Sequence, residues 1–226
     1  MARMIFLPIT ATSPCTELIV SRPRDPFSLA LEDLRNRAAR GGFAPGRSVV
    51  IIEEARRLRL STTPVREALA WLCGEGLMER APRTGYLAPR LDASLVRDQF
   101  WVRFQCLATS MDLTAALAMS AAPASNLIDE DAVRDLFDRL VRATGNRALI
   151  ETFRRIDAQL QMLGDAESLV FADAAEEARE LARLETVGSR TQLLTAIDAY
   201  HRRRMENAAV IVFEVERRDH RSIDDG

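Results

Sequence analysis

The segment Ser61-Thr62-Thr63-Pro64-Val65-Arg66 gathers three hydroxyls, a helix-starting proline and a guanidinium into six residues. Thr63 reads as an N-cap and Pro64 as the first helical position, where a missing N–H costs nothing. A helix start so equipped offers N–H and hydroxyl donors to a phosphate, and an arginine just inside it can reach a base edge in the major groove. The helix runs to about Gly76 and places Val65, Leu69, Leu72 and Gly76 on one face for burial, with Arg66, Glu67 and Ala70 off that face. Short strands around 77–80 and 85–88 flank a hairpin. Its basic tip, Arg83-Thr84-Gly85, can follow an adjacent nucleic-acid backbone or minor groove.

The elements that must hold these groups are legible upstream. Leu29, Leu31, Leu34 and Ala38 suit an amphipathic helix over 28–40, ended by Gly41-Gly42 and followed by the turn Phe43-Ala44-Pro45-Gly46. A short helix covers about 53–59. Residues 1–25, punctuated by Pro8, Pro14 and Pro23, read as an N-terminal arm in which ELIV (17–20) makes at most a short strand. Beyond Pro89 the texture is nearly continuous helix. One stripe comprises Phe100, Phe104, Leu107 and Met111, and a second Val133, Leu136, Phe137, Leu140 and Val141. A third, after a break at Gly145-Asn146, comprises Leu149, Phe153, Ile156, Leu160 and Leu163. Helices over 173–187 and 189–209 follow, and VIVFEV (210–215) fits either a helix end or a strand. The expected fold is mainly α: a winged helix-turn-helix with a β-hairpin wing over 26–90, then an all-α bundle over 91–226.

Composition narrows the function classes. The 226 residues are 47% hydrophobic and 28% charged, ample for a core and far from disordered composition. No run approaches the length of a membrane helix, and the opening MARMIFLPITATSP is too weak for a secretory signal, so the chain reads as cytoplasmic. Cys15, Cys73 and Cys106 are too scattered for a disulfide or zinc framework and read as small buried hydrophobes. The net charge of -2 hides an asymmetry, since residues 1–90 carry 14 arginines against 9 carboxylates and the remainder 17 against 24. The front half is therefore the candidate for a polyanion. No phosphate loop, nucleophile elbow or metal-protease motif is present, and no enzyme is expected. His201, within HRRRM, reads as exposed, and Glu176-Glu177 and Asp224-Asp225 as solvated faces. The same front-half pattern also fits an ordinary helical subdomain with a solvated arginine face.

Three stretches carry a resemblance: LRNRAARGGFAPGRSV (34–49), EEARRLRLSTTPVREALAWLCGEGLMER (53–80) and RTGYLAP (83–89). Together they resemble the DNA-binding domain of the GntR family of bacterial transcription regulators. The resemblance implies that the helix starting at Thr63 is a recognition helix. It further implies that Arg66, Arg35, the hydroxyls of Ser61, Thr62 and Thr63, and the wing around Gly85 contact DNA. Thr62 stands where the family usually has arginine, Thr84 precedes Gly85 where arginine is common, and Ala70-Trp71 replace basic residues. Those departures imply a different operator or weaker binding.

The remainder resembles, more patchily, the FCD-type effector domain of the fatty-acid-regulator branch, through DLFDRLVRATGNRALIETFRRIDAQL (135–160) and RTQLLTAIDAYHRRRMENAA (190–209). The segment from Met119 to Val133 is shorter than usual, as though one helix were missing. Where many members bind a metal with one Asp and three His, alignment places Arg134, Asp138, Arg190 and about Val212, so no metal and no cofactor is expected. Arg134 and Asp138, four apart, have ion-pair spacing. With Arg190, and Arg103 on the first helix of this half, they form a network or bind an anionic effector such as a small carboxylate. The bland alternative leaves these charges solvated or structurally paired. The expected whole is a homodimeric regulator, a repressor in most such families, acting on a pseudo-palindromic double-stranded DNA operator and answering to a small effector. The alternative makes the helical half a protein-interaction module that senses no small molecule.

Overall fold

The computed structural model describes residues 25–81, 85–116 and 130–224. The arm, Cys15, the hairpin-tip residues Arg83 and Thr84, and most of the shortened Met119–Val133 segment lie outside the described residues.

Helix α1 (Pro26–Ala39) starts where Asp25 accepts from the Phe27 and Ser28 N–H groups at 2.9 and 3.1 Å, with Pro26 at the first helical position. The Ser28 hydroxyl also donates to this carboxylate, and that bond, with the one from the Ser28 N–H, holds the Asp25 carboxyl below its ordinary range. Ala30, Leu34 and Ala38, spaced by four, are its buried face. After β1 (Ser48–Val49), helix α2 (Ile51–Leu58) ends on Arg59, a non-glycine residue in the left-handed region at φ 55°. Helix α3 (Thr62–Glu75) buries Val65, Ala68, Leu69 and Leu72 against α1 and α2. Its start differs from the expectation by two residues: Ser61 is the N-cap and Pro64 the third helical residue. The proline is tolerated there because the first-turn N–H groups have no intrahelical acceptor in any case.

Strands β2 (Glu79–Ala81) and β3 (Gly85–Leu87) form the wing, and β1 joins them in an antiparallel sheet of order β1-β3-β2. The two-residue β1 is too short to leave a periodic trace in sequence. Tyr86, buried at the centre of this sheet, donates its hydroxyl to the Arg66 carbonyl at 3.1 Å and so docks the wing on α3.

The helical half is built on α4 (Ala93–Ala116), surrounded by α5 (Glu130–Arg142), α6 (Arg147–Leu160), α7 (Gly164–Val170), α8 (Ala174–Val187), α9 (Arg190–Glu206) and α10 (Ala208–Asp224). A 3₁₀ turn, Gln161–Leu163, joins α6 to α7. Asn146 caps α6 by accepting from the Leu149 N–H, and Ser189 with Gln192 forms a reciprocal capping box on α9. Residues 210–215 are helical. The sequence alternation there is an i, i+3, i+4 stripe, Ala208, Ile211 and Val212, packed on Val96, Phe100 and Leu163.

The two halves meet at the C-terminal end of α3. Gln159 of α6 donates to the Glu75 carbonyl at 2.8 Å while its own side-chain oxygen accepts from Gln99 of α4, also at 2.8 Å. The neighbouring α3 C-cap is Gly76, at φ +76°, and a Cβ built there would lie 2.2 Å from the Gln159 amide nitrogen. Gly76→Ala is expected to lose about 1–2 kcal/mol to left-handed strain alone. Displacement of Gln159 adds to that loss. A urea-unfolding midpoint lower than that of the parent chain checks it.

Candidate nucleic-acid interface

Helix α3 presents its first turn to solvent. Ser61, Thr62 and Thr63 are exposed, and their hydroxyls make no hydrogen bond among the described residues, Ser61 included although it is the N-cap. The backbone donors of this turn are therefore not satisfied by a side-chain cap, and the positive end of the helix dipole is open to an anion. Arg66 is exposed one turn in and has no ion-pair partner among the described residues. Only its backbone carbonyl is used, by Tyr86. Gly85, at φ +86°, opens β3 where the wing meets open space.

Arg35 lies elsewhere. Its guanidinium donates to both Glu75 carboxylate oxygens, at 3.0 and 2.6 Å, and Trp71 donates to the same carboxylate at 2.9 Å. Glu75 is at the far end of α3, roughly 20 Å along the helix from Thr62. Arg35 therefore stands apart from the hydroxyl cluster and must exchange its partner to reach a phosphate.

A larger pattern has no signature in residue spacing. Arg47, Arg56, Arg59, Arg80 and Arg90 are exposed and, like Arg66, make no ion pair among the described residues. In the helical half every arginine whose side chain is described has a carboxylate partner except Arg155; examples are Arg139–Glu185, Arg183–Glu180 and Arg202–Asp198. The exposed pairs among them, such as Arg183–Glu180, contribute little stability, about 0–1 kcal/mol, but all of them cancel charge. The positive field is thus concentrated on the winged half. The signal was present in the count of acids per segment; their pairing needed the fold.

The four residues expected to line an effector site separate into two groups. Arg103 and Arg134 converge on Asp157, at 3.2 and 3.5 Å. Asp138 instead pairs with Arg142 and lies 3.8 Å from Arg154, while Arg190 pairs with Asp112 at 2.6 Å. The Arg134–Asp138 ion pair suggested by spacing is not among these contacts. Asp157, absent from the sequence-derived set, is the residue that joins α4 and α5 to α6.

His201 is fully buried rather than exposed. Its Nδ1 faces the Ile197 carbonyl at 2.7 Å, which makes Nδ1 the protonated nitrogen, and Nε2 accepts from Arg103 at 3.1 Å. Both nitrogens are engaged, and the surrounding donors are guanidinium groups, so these residues do not fit the one-Asp, three-His metal set. Among the described residues no group of three His, Cys, Asp or Glu is placed to hold a metal ion. Arg204 is also buried, held by Glu167 at 2.6 Å and Glu177 at 2.8 Å, so Glu177 is a structural counterion rather than part of a solvated face. Burial pushes the adjacent Tyr200 phenol up to about 12.

No protein-family model matches the chain. An uncharacterised HTH-type transcriptional regulator from an unstable DNA locus of Streptomyces ambofaciens is 33% identical over 115 residues, 51% of this chain and 44% of that protein. The match thus spans less than half of that relative's length. A second HTH-type regulator, from the TAR-I ttuE-ttuC' intergenic region of Agrobacterium vitis, is 29% identical over 130 residues, 58% of this chain and 68% of that protein. Among solved structures, a GntR transcriptional regulator of Rhodococcus sp. RHA1 superposes with a TM-score of 0.61 at 14% identity, covering 81% of this chain and 97% of that one. The fold is that of the GntR-family regulators. E. coli McbR/YncC agrees, with a TM-score of 0.60 at 16% identity, covering 84% of this chain and 97% of that one. Within this GntR-type fold, no described helix is long and apolar enough to cross a membrane.

Burial, and next the Arg103 guanidinium, hold His201 well below its ordinary value near 6.5, so it stays neutral in the folded chain. Unfolded, it gains a proton as pH falls through that value. The unfolded state then binds more protons, and stability is expected to fall from pH 7 to pH 5, by up to about 1.4 kcal/mol per pH unit. Urea unfolding across that range, compared with His201→Gln, checks this: the variant, whose amide oxygen still accepts from Arg103, should lose that part of the pH dependence.

Proposed function

We propose that the chain is a sequence-specific DNA-binding transcription regulator, a repressor, that binds a pseudo-palindromic operator as a homodimer. Residues 26–90 form its winged DNA-binding domain, preceded by an arm over 1–25. Residues 91–226 form a helical domain for dimer contact and for sensing a small anionic metabolite. The observation that carries this reading is the start of α3, hydroxyl-rich and without a side-chain cap, with Arg66 set among arginines that, like it, have no ion-pair partner among the described residues. In such an arrangement α3 enters the major groove by its N-terminal end, α2 crosses the backbone with Arg56 and Arg59, and the wing with Arg83, Thr84 and Gly85 follows the adjacent groove. Two copies would read half-sites about one helical turn, roughly 34–36 Å, apart. Arg35 contributes a phosphate contact only by leaving Glu75.

Arg66→Ala should fold normally, because the side chain is exposed and the Tyr86 bond uses the backbone. It is expected to lose about 1–3 kcal/mol of operator affinity per half-site. Normal operator binding by this variant would displace α3 from the role given to it.

The wild-type chain should bind one short inverted repeat in its own upstream region. Between 50 and 200 mM salt the affinity should fall by on the order of 10³. A mobility-shift titration at the two salt concentrations tests this, and weak binding indifferent to sequence would instead favour a partner-binding role for the helical half.

A further inference from the structure

The fold splits the apolar run Val49-Val50-Ile51-Ile52. Val49 is buried in the sheet and Ile51 packs against the core of the winged half, whereas Val50 and Ile52 are 47% and 63% exposed. Val50 is the N-cap of α2 and gives that helix no side-chain bond. Valine is among the poorest residues at an N-cap, where Ser, Thr, Asp and Asn are strongly preferred. Local stability does not explain this choice of residues.

Their place in the fold does. The pairing of Ser48 with Leu87 and of Val49 with Tyr86 carries Val50 to the level of Gly85, the residue that opens β3. Tyr86 in turn holds the Arg66 carbonyl of α3. The exposed apolar pair therefore lies where the start of α2, the tip end of the wing and the first turns of α3 come together. Ile52 shares a face of α2 with Arg56, four residues and roughly 6 Å further along, and that helix ends on Arg59. Arg56, Arg59 and Arg66 are exposed and have no ion-pair partner among the described residues. Glu53 belongs to the neighbouring stripe, with Arg57.

We propose that Ile52, with Val50 beside it, reads the 5-methyl group of thymine in the operator. The inference rests on the reading of residues 26–90 as a DNA-binding domain and names a residue by which that domain selects sequence. The surrounding guanidinium groups suit a polyanion, and an exposed isoleucine among them is complementary only to an apolar spot on that polyanion. The major groove of a duplex is edged with hydrogen-bonding groups and one apolar group, the thymine methyl. Removing one such carbon from water against an apolar side chain corresponds to about fourfold in affinity, and so to about tenfold over two half-sites. Such a contact carries sequence information that arginines on phosphates do not.

The test uses the full chain and the inverted repeat of its upstream region in two forms, one with thymine and one with deoxyuridine at every thymine position. The two forms differ only by the methyl groups. In mobility-shift titrations the wild type should prefer the thymine form by about tenfold. Ile52→Ala should bind both forms alike, with the wild-type affinity for the deoxyuridine form. Ile52→Val, which keeps a branched apolar tip, should retain most of the preference. Because Ile52 is exposed, both variants should unfold at the wild-type urea midpoint. Wild-type binding indifferent to the methyl groups, a preference that survives in Ile52→Ala, or a loss in Ile52→Ala that is equal on both forms would each overturn the inference. If the wild type binds neither form more tightly than a scrambled duplex of equal length, the DNA-binding reading itself fails and takes this inference with it.

Discussion

The Arg103 guanidinium, buried in the middle of the helical half, constrains four helices at once. A charge so placed is tolerated only if its neighbours supply both counter-charge and acceptors. Asp157 from α6 provides the charge and His201 from α9 an acceptor, while Phe100, Phe137 and Tyr200 lie with their ring centres 5.2, 5.5 and 5.8 Å from the guanidinium carbon. His201 must be neutral and in one tautomer for this to work, which explains why burial of a histidine beside an arginine is tolerated. Because removing one partner from such a pair costs about 3–5 kcal/mol, the register of α4, α6 and α9 is strongly specified around it.

The same helix, α6, connects this centre to the winged half. Asp157 and Gln159 are two residues apart: one receives Arg103, and the other reaches the last carbonyl of α3. Gly76 permits that approach by lacking a Cβ. Asp157 thus lies two residues from the bond that ties α6 to the end of α3, the helix proposed for DNA recognition.

Arginine is the only cation this protein uses, and the two halves use it in opposite ways. In the helical half carboxylates at i, i+3 and i, i+4, or on a facing helix, cancel nearly every described guanidinium. In the winged half Glu54, buried between α1 and α2, draws in Arg37 and Arg57 as structural ties. The arginines flanking α3 have no ion-pair partner among the described residues. Charge asymmetry along the chain thus becomes a field with a direction only after the pairing has been subtracted.

The winged half was legible in the residues because its signals are local. Apolar spacing, the glycine turns and the Ser-Thr-Thr-Pro start each act within one turn of helix, and the TPVREAL stretch carried the family resemblance. The start of α3 lies two residues before the Thr63 cap expected from sequence, since a serine cap without a side-chain bond leaves no distinctive spacing. Strand β1 is not legible either, because its two residues pair only when β3 arrives beside them. In the helical half the three hydrophobic stripes were readable, but the polar centre was not. HRRRM looks like a solvated run, yet helix geometry turns His201 and Arg204 inward, three residues apart on the buried face. Asp157, Arg103 and His201 are separated by 54 and 98 residues, and no spacing rule links them. By itself the sequence determined the helices, the wing, the basic front end and the absence of a three-histidine set. Which charges are cancelled, which guanidinium is buried, and where the halves touch were decided by tertiary structure, because burial and ion pairing depend on distances the chain acquires only when its helices pack.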